Sequence, residues 1–254
     1  MKSEIEIAFV LAAGLGKRMR PLTDTMPKPM VPLAGRPLVD HTLDRLEASG
    51  IKRVILNVHY MADVLEAHIS ARTRTRRGPF VLISNERDEV LETGGGVAKA
   101  LRLIGERPFL ICNSDTTWVE KDASNIARLI HAWDAHRMDC LLLLAEKDRS
   151  LGYEGDGDFH MAADGKLNRR GEGETSPHVF AGVSIAHPRM FANCPEGAFS
   201  LNVLWDRAIA AGRLHGMVLD GWWMHVGSPS ALADAERFIA GHDSRPAPGN
   251  GEWK

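Results

Sequence analysis

At 254 residues, 44% hydrophobic and 25% charged, the chain is long enough to bury a full core and has the composition of a globular protein, not a disordered or fibrous one. Its 31 basic and 33 acidic residues leave a formal charge of -2, which removes the electrostatic reason to expect nucleic acid or an anionic membrane as the main partner. No apolar run approaches the ~20 residues of a bilayer span. Cys112, Cys140 and Cys194 stand far apart without zinc or redox spacing; the first two lie in apolar runs and are expected as small core residues of a protein kept reduced. Met1 to Glu6 is charged and leads straight into an apolar strand, unlike a signal peptide, so a cytoplasmic location is expected.

The run Ile7 to Ala13 reads as a buried strand that empties into Gly14-Leu15-Gly16-Lys17-Arg18-Met19-Arg20-Pro21-Leu22-Thr23, followed by Met26-Pro27-Lys28-Pro29-Met30. Gly14 and Gly16 lack a Cβ, so the backbone can turn sharply and bring N–H groups against a bulky anion. Lys17, Arg18, Arg20 and Lys28 concentrate positive charge beside it, and Pro21, Pro27, Pro29 and Pro32 stiffen the segment after the turn. A phosphate is expected here. The dinucleotide fingerprint requires a glycine where Met19 stands, and a P-loop requires Ser or Thr where Arg18 stands, so neither applies. The seven positions Gly14, Gly16, Arg18, Pro21, Thr23, Lys28 and Pro29 do fit another spacing. They resemble the signature of sugar-1-phosphate nucleotidylyltransferases, which weighs against a basic surface turn of no function.

Further along, Leu38, Thr42, Leu43 and Leu46 recur at helical spacing up to Gly50, Val54 to Val58 reads as a strand, Met61, Val64, Leu65 and Ile69 as a helix, and Phe80 to Ile83 as a third strand. Strands alternating with helices predict a mostly parallel sheet covered on both faces. The four arginines between Arg72 and Gly78 are expected in a solvated connection, since no aromatic residue accompanies them to make a nucleic-acid patch. Gly94-Gly95-Gly96 then opens a helix bearing Val97, Leu101 and Ile104, and Phe109 to Asp115 is an apolar strand with a polar end, where open α/β sheets bind ligands. Ile126 to Trp133 reads as a helix and Leu141 to Ala145 as a strand. Ser150 to Ser176, broken by glycines, reads as hairpins over the sheet, and Val179 to Ile185 as a strand whose Gly182 marks close approach of a ligand. Leu201 to Ile209 is a helix, Leu219 to Val226 a strand, and Pro229 starts a last helix ending before Gly241; residues 242–254 read as a disordered tail. Trp222 and Trp223 are candidates to stack on a sugar or to fill core; since they face opposite sides of their strand, at least one is expected in the core.

The first loop, Glu92-Thr93-Gly94-Gly95-Gly96, Asn113-Ser114-Asp115, Phe180-Ala181-Gly182 and the Trp-x-x-Val-Gly-Ser-Pro segment together resemble one bacterial branch of the family, the N-acetylmuramate-1-phosphate uridylyltransferases. The resemblance implies one Rossmann-like, mostly parallel but mixed sheet flanked by helices, a GT-A-like nucleotidyltransferase fold (α/β) over residues 1–241, with a nucleotide part at 1–120 and a sugar part at 121–228. It implies transfer of a nucleotidyl group from UTP to a sugar-1-phosphate in peptidoglycan recycling. The partners would be a nucleoside triphosphate and the sugar phosphate. Arg18 would hold the pyrophosphate end, Lys28 the α-phosphate and Asp115 a Mg²⁺ ion; Ala12, Ala13, Gly14, Gly16, Glu92, Thr93, Gly94, Gly95 and Gly182 would line the nucleotide and sugar. The family's Glu-Pro-Lys signature is missing, leaving Arg169 and Arg170 as candidates for the sugar end. His225 stands where many relatives place a second metal-binding Asp. Three consequences stay open: Asp115, phosphates and water hold the ion alone, His225 ligates a nitrogen-tolerant ion such as Mn²⁺, or turnover is lost. A GTP-dependent mannose- or heptose-1-phosphate transferase and a non-catalytic nucleotide-sugar-binding module are the competing functions.

Overall fold

The computed structural model describes residues 5–75 and 78–243. The elements run β1 (Ile7–Leu11), β2 (Pro32–Leu33), β3 (Arg36–Pro37), α1 (Leu38–Ala48), β4 (Arg53–Val58), α2 (Ala62–Arg74), β5 (Phe80–Asn85), α3 (Glu92–Ile104), β6 (Phe109–Asn113) and β7 (Thr116–Glu120). They continue with α4 (Asn125–Ala132), β8 (Cys140–Glu146), β9 (Ser150–Leu151), β10 (Phe159–Met161), β11 (Leu167–Arg169), β12 (His178–Ala186), α5 (Leu201–Ala210), β13 (Leu214–Val218), β14 (Gly221–His225) and α6 (Pro229–Asp243).

The main sheet is mixed, as expected. β5, β4, β1 and β6 are parallel neighbours, β12 lies antiparallel to β6, and β8 pairs antiparallel with β12 and parallel with β13. Both faces of the parallel part are covered. Along β1, Ala8 and Val10 join Leu43, Leu46, Leu65 and Leu129 in one core, while Phe9 between them joins Val97, Ala100, Ile104 and Leu204 in the other. A third cluster, of Met19, Val31, Leu33, Leu38, Met224, Val226 and Ala235, clamps the cationic loop against β14 and α6. Met19, where a dinucleotide fold has glycine, is fully buried and anchors that loop.

β12 changes partners halfway along. Its Val183–Ala186 end pairs with β6, its His178 end pairs with Phe159 of β10, and the register against β8 slips between Phe180 and Ser184. Gly182 sits in that slip at φ +81°, where a Cβ would stand 2.6 Å from Thr116 Cγ2. The close approach at Gly182 is made, in this structure, by the side chain of Thr116.

Three other expectations change. Arg72 does not lie in a solvated connection but in the last turn of α2: its side chain is 9% exposed and pairs with Asp40 (3.2 Å) and Asp44 on α1, while 76–77 lie outside the described residues. Helix α6 runs through Gly241 to Asp243, with His242 Nδ1 3.0 Å from the Phe238 carbonyl and the two rings in tilted contact; of the supposed tail, 244–254 lie outside the described residues. β13 has no counterpart among the predicted strands, its Leu-His-Gly-Met-Val pattern being too mixed to mark a strand without its partner β8. Cys112 and Cys140 are buried, and burial pushes both thiol pKa values up to about 12. Trp223 is buried and Trp222 exposed.

Asp139, just before β8, ties three segments together by accepting from Arg189 Nε (2.5 Å) and Arg213 Nε (2.8 Å). Burial raises its pKa, but the two guanidinium hydrogen bonds outweigh this and hold it below the ordinary carboxylate value. A depressed folded-state pKa adds stability that is present above the unfolded value near 4 and is lost as pH falls through the folded value. Asp139→Asn is expected to cost about 2 kcal/mol at neutral pH, as loss of charged hydrogen bonds does. Denaturant titrations at pH 7 and pH 3 check this: the gap between wild type and variant should narrow at the lower pH.

Candidate active site

At the carboxyl ends of β1, β4 and β6 a cleft of about 230 Å³ opens, lined among others by Ala12, Ala13, Gly14, Lys28, Asn57, Glu86, Glu92, Thr93 and Asp115. Strand ends carry no further ladder partners, which is why loops and ligands meet there in α/β sheets. The β6 end is tied to β1 by Ser114, whose N–H and Oγ both donate to the Leu11 carbonyl (3.2 and 2.8 Å).

Lys28 and Asp115 face each other across the cleft. Nζ of Lys28 donates to Asp115 Oδ2 at 2.6 Å, with the two side chains 13% and 24% exposed, so water screens the pair only partly. Burial raises the Asp115 pKa, yet the charge and hydrogen bond of Lys28, with a contribution from His225, hold the carboxyl below its ordinary value. The cationic loop sets the position of Lys28. Gly16 turns at φ +62° and packs on Thr23 and on Lys28 Cβ, Thr23 Oγ1 donates to the Gly16 carbonyl (2.9 Å), and Tyr60 Oη donates to the Thr23 carbonyl (2.9 Å). Gly16 thus shapes the loop and does not line the cleft.

Asn57 and Glu86 are polar residues of the site that none of the sequence motifs includes. Asn57 Oδ1 accepts from the N–H groups of Ala12 (2.6 Å) and Ala13 (3.2 Å), and its Nδ2 donates to Glu86 Oε1 (2.9 Å). Burial raises the Glu86 pKa above its ordinary value, against the Asn57 hydrogen bond. The amides of Ala12 and Ala13 are therefore occupied inside the protein, and those residues line the cleft with their other atoms. A lone Asn inside Val54-Ile55-Leu56-Asn57-Val58, at the carboxyl end of a buried strand, is the signal that could have marked it.

The glycine triplet also turns inward. Gly94 and Gly95 N–H both donate to the Phe199 carbonyl (2.8 and 3.1 Å), and a Cβ would meet Phe199 at Gly94 and the Gly197 carbonyl at Gly95. In this structure the two glycines seat α3 against the approach to α5, while Glu92 and Thr93 at the helix start line the cleft. Glu92 does so at φ +59°, uncommon for a residue with a side chain.

Arg18 is exposed and has no hydrogen-bond partner among the described residues. It borders a neighbouring cavity with His225, Tyr153 and Ser228. His225 ends β14 opposite Thr116, next to Asp115. Burial lowers its pKa, Lys28 and Arg18 adding to the effect and Asp115 opposing it, so the ring is neutral at physiological pH.

A second cleft of about 320 Å³ shares Leu11, Glu92, Thr93 and Asn113 with the first and extends to Asp158, Phe159, Arg169, Phe180, Asn202 and Trp205. It opens where β12 exchanges β6 for β10. Arg169 thus reaches the cleft, whereas Arg170 is occupied by the carbonyls of Gly157 (3.0 Å) and Glu174 (2.7 Å).

Two adjoining clefts, one holding a lysine and a carboxylate beside a glycine loop, suit a nucleotide next to a second, polar substrate. The comparisons with known proteins agree. The chain is 46% identical, over 94% of its length and 99% of the relative's, to a protein of Caulobacter vibrioides named N-acetylmuramate alpha-1-phosphate uridylyltransferase. A Neisseria meningitidis protein of the same name is 32% identical over 90% of this chain and 96% of its own. A UDP-glucose pyrophosphorylase solved with UDP-glucose has the same fold, with a TM-score of 0.75 over 94% of this chain and 99% of that one, at 16% identity. Residues 8–219 match the MobA-like NTP transferase domain. The chain belongs to that family, and is an enzyme of the sugar-1-phosphate nucleotidyltransferases.

Proposed function

We propose that the enzyme transfers the uridylyl group of UTP to N-acetylmuramate-1-phosphate, in the cytoplasm, within peptidoglycan recycling. The observation that carries the choice of substrates is the 46% identity to the Caulobacter relative over 94% of the chain. Residues 1–120 would supply the nucleotide half of the site and 121–228 most of the sugar half.

In this reaction an ionised oxygen of the sugar phosphate attacks the α-phosphorus in line. The new P–O bond forms as the bond to the β-phosphate oxygen breaks and pyrophosphate leaves. The nucleophile arrives already deprotonated, so the protein has to align it and neutralise charge. Lys28 serves the α-phosphate, Arg18 the departing pyrophosphate, and Gly14 with Glu92 and Thr93 the walls of the nucleotide cleft.

Asp115 and His225 would hold a divalent cation. Asp115 Oδ2 is bonded to Lys28 while Oδ1 has no side-chain partner among the described residues, and His225 is a neutral imidazole. Among the described residues no third His, Cys, Asp or Glu completes a cluster. One carboxylate with one imidazole fits an ion that keeps waters and takes phosphate oxygens; when bound, it supplies positive charge to the triphosphate. Imidazole favours manganese over magnesium.

The test is pyrophosphate release from UTP plus N-acetylmuramate-1-phosphate, beside GTP plus mannose-1-phosphate, each with Mg²⁺ and with Mn²⁺. Release confined to the UTP pair is expected, and release confined to the GTP pair overturns the proposal. His225→Asp should raise the ratio of Mg²⁺- to Mn²⁺-supported rates by on the order of tenfold, as changes at metal ligands do. An unchanged ratio removes His225 from the ion.

A further inference from the structure

We propose that Arg169 is a specificity residue that reads a second anionic group on the sugar phosphate, a carboxylate at the end remote from the reacting phosphate. The proposal rests on the sugar-phosphate reading above and adds to it the residue that recognises the sugar.

Its guanidinium is held from three sides. Nε donates to Asp206 (2.8 Å), Nη2 donates to Asn202 Oδ1 (2.9 Å), and the cation lies over the rings of Phe159 (4.9 Å) and Trp205 (5.7 Å). These contacts fix the plane of the group before any ligand arrives, which lowers the ordering cost of binding. Nη1 has no partner among the described residues, and the side chain is 34% exposed at the wall of the second cleft. An oriented guanidinium with unused N–H donors matches a carboxylate.

Charge placement supports the assignment. Among the described residues Lys28 is the one Lys or Arg lining the first cleft and Arg169 the one lining the second, and the clefts share Asn113, Thr93 and Glu92. A ligand bridging them would meet a positive charge at each end, so a phosphate at one end and a carboxylate at the other is the complementary shape. Asp158 lines the same cavity; one of its oxygens accepts from the Phe180 N–H (2.8 Å), leaving the other to accept from a hydroxyl or amide of the sugar.

N-acetylmuramate-1-phosphate carries such a carboxylate, and N-acetylglucosamine-1-phosphate is the same sugar phosphate without the lactyl ether that bears it. The experiment compares kcat/KM for the two in the wild type, Arg169→Ala and Arg169→Gln, the latter keeping a polar side chain over the rings. Wild type should prefer the carboxylate sugar. Both variants should lose about 10- to 100-fold of that preference, chiefly through KM, as removal of a charged hydrogen bond does. The loss with the sugar lacking the carboxylate should be clearly the smaller of the two, and a melting curve of each variant certifies the fold. A wild type that favours the carboxylate sugar, with variants that keep the ratio, overturns the role of Arg169; so does equal loss with both sugars in both variants. A wild type with no turnover of the carboxylate sugar overturns the proposed function itself.

Discussion

Lys28→Ala should lower kcat by on the order of 100- to 1,000-fold, with a smaller change in KM for UTP. Removal of one donor aimed at developing charge in a water-poor site costs about 2.7–4 kcal/mol of transition-state stabilisation. Lys28 has the features of such a donor: its side chain is 13% exposed, its ammonium lies 2.6 Å from Asp115, and it is placed by the packing of Gly16 on its stem. Without substrate, Asp115 is its counter-charge; a triphosphate would offer the ammonium a stronger one. Lys28→Arg keeps the charge but presents a planar fork in place of a compact ammonium, so it should recover only part of the rate. Single-turnover release of pyrophosphate measures the effect, with a melting curve to exclude unfolding. A rate within tenfold of wild type would show that Lys28 does not touch the transition state.

Gly95→Ala should lower the melting temperature by about 4–8 °C and take activity with it. Alanine in a helix ordinarily gains about 1 kcal/mol over glycine. Here the added Cβ would stand 2.2 Å from the Gly197 carbonyl oxygen, far inside contact distance and against backbone that cannot swing aside. Overpacking of about 3 kcal/mol exceeds the helical gain, and in a chain of this size each kcal/mol moves the midpoint by about 2–4 °C. The loss of activity would follow because Glu92 and Thr93, at the start of the same helix, wall both clefts. Gly14→Ala is the control. A Cβ there meets nothing within 4 Å, so the melting temperature should hold.

Lys28 and Gly95 also show what a sequence reveals and what it hides. Lys28 and Asp115 are legible because charge of a given sign, on a loop after an apolar strand or at a strand's polar end, has few structural uses. Gly94, Gly95 and Gly182 are legible as places of close approach, but a missing Cβ admits a neighbouring backbone as readily as a ligand. Only the fold reveals that Phe199, Gly197 and Thr116 fill those spaces. Asn57 and Glu86 are hidden for the opposite reason. The partners of Asn57 lie 29 and 45 residues away in the sequence, so no local pattern marks the network that fixes Ala12 and Ala13. The helices and parallel strands follow from apolar period and length, while β13 needs its neighbour β8 to be recognised at all.

The change of partner along β12 separates two kinds of inheritance. The strands that lead to Lys28, Asn57 and Asp115 are locked between two cores, and a shift in any of them would disturb the phosphate chemistry. The β10–β11 hairpin that presents Phe159 and Arg169 meets β12 through the pair Phe159 and His178, with one further bridge from Lys166 to His215. Phe159 and Leu167 are buried in the second core and anchor the hairpin, so its exposed positions are the ones that can be recoded while β1, β4 and β6 stay in register. On the proposed function, mutation there would retune which sugar is accepted without reinventing how the phosphorus is attacked, and libraries aimed at new nucleotide sugars belong in the exposed positions of residues 158–170.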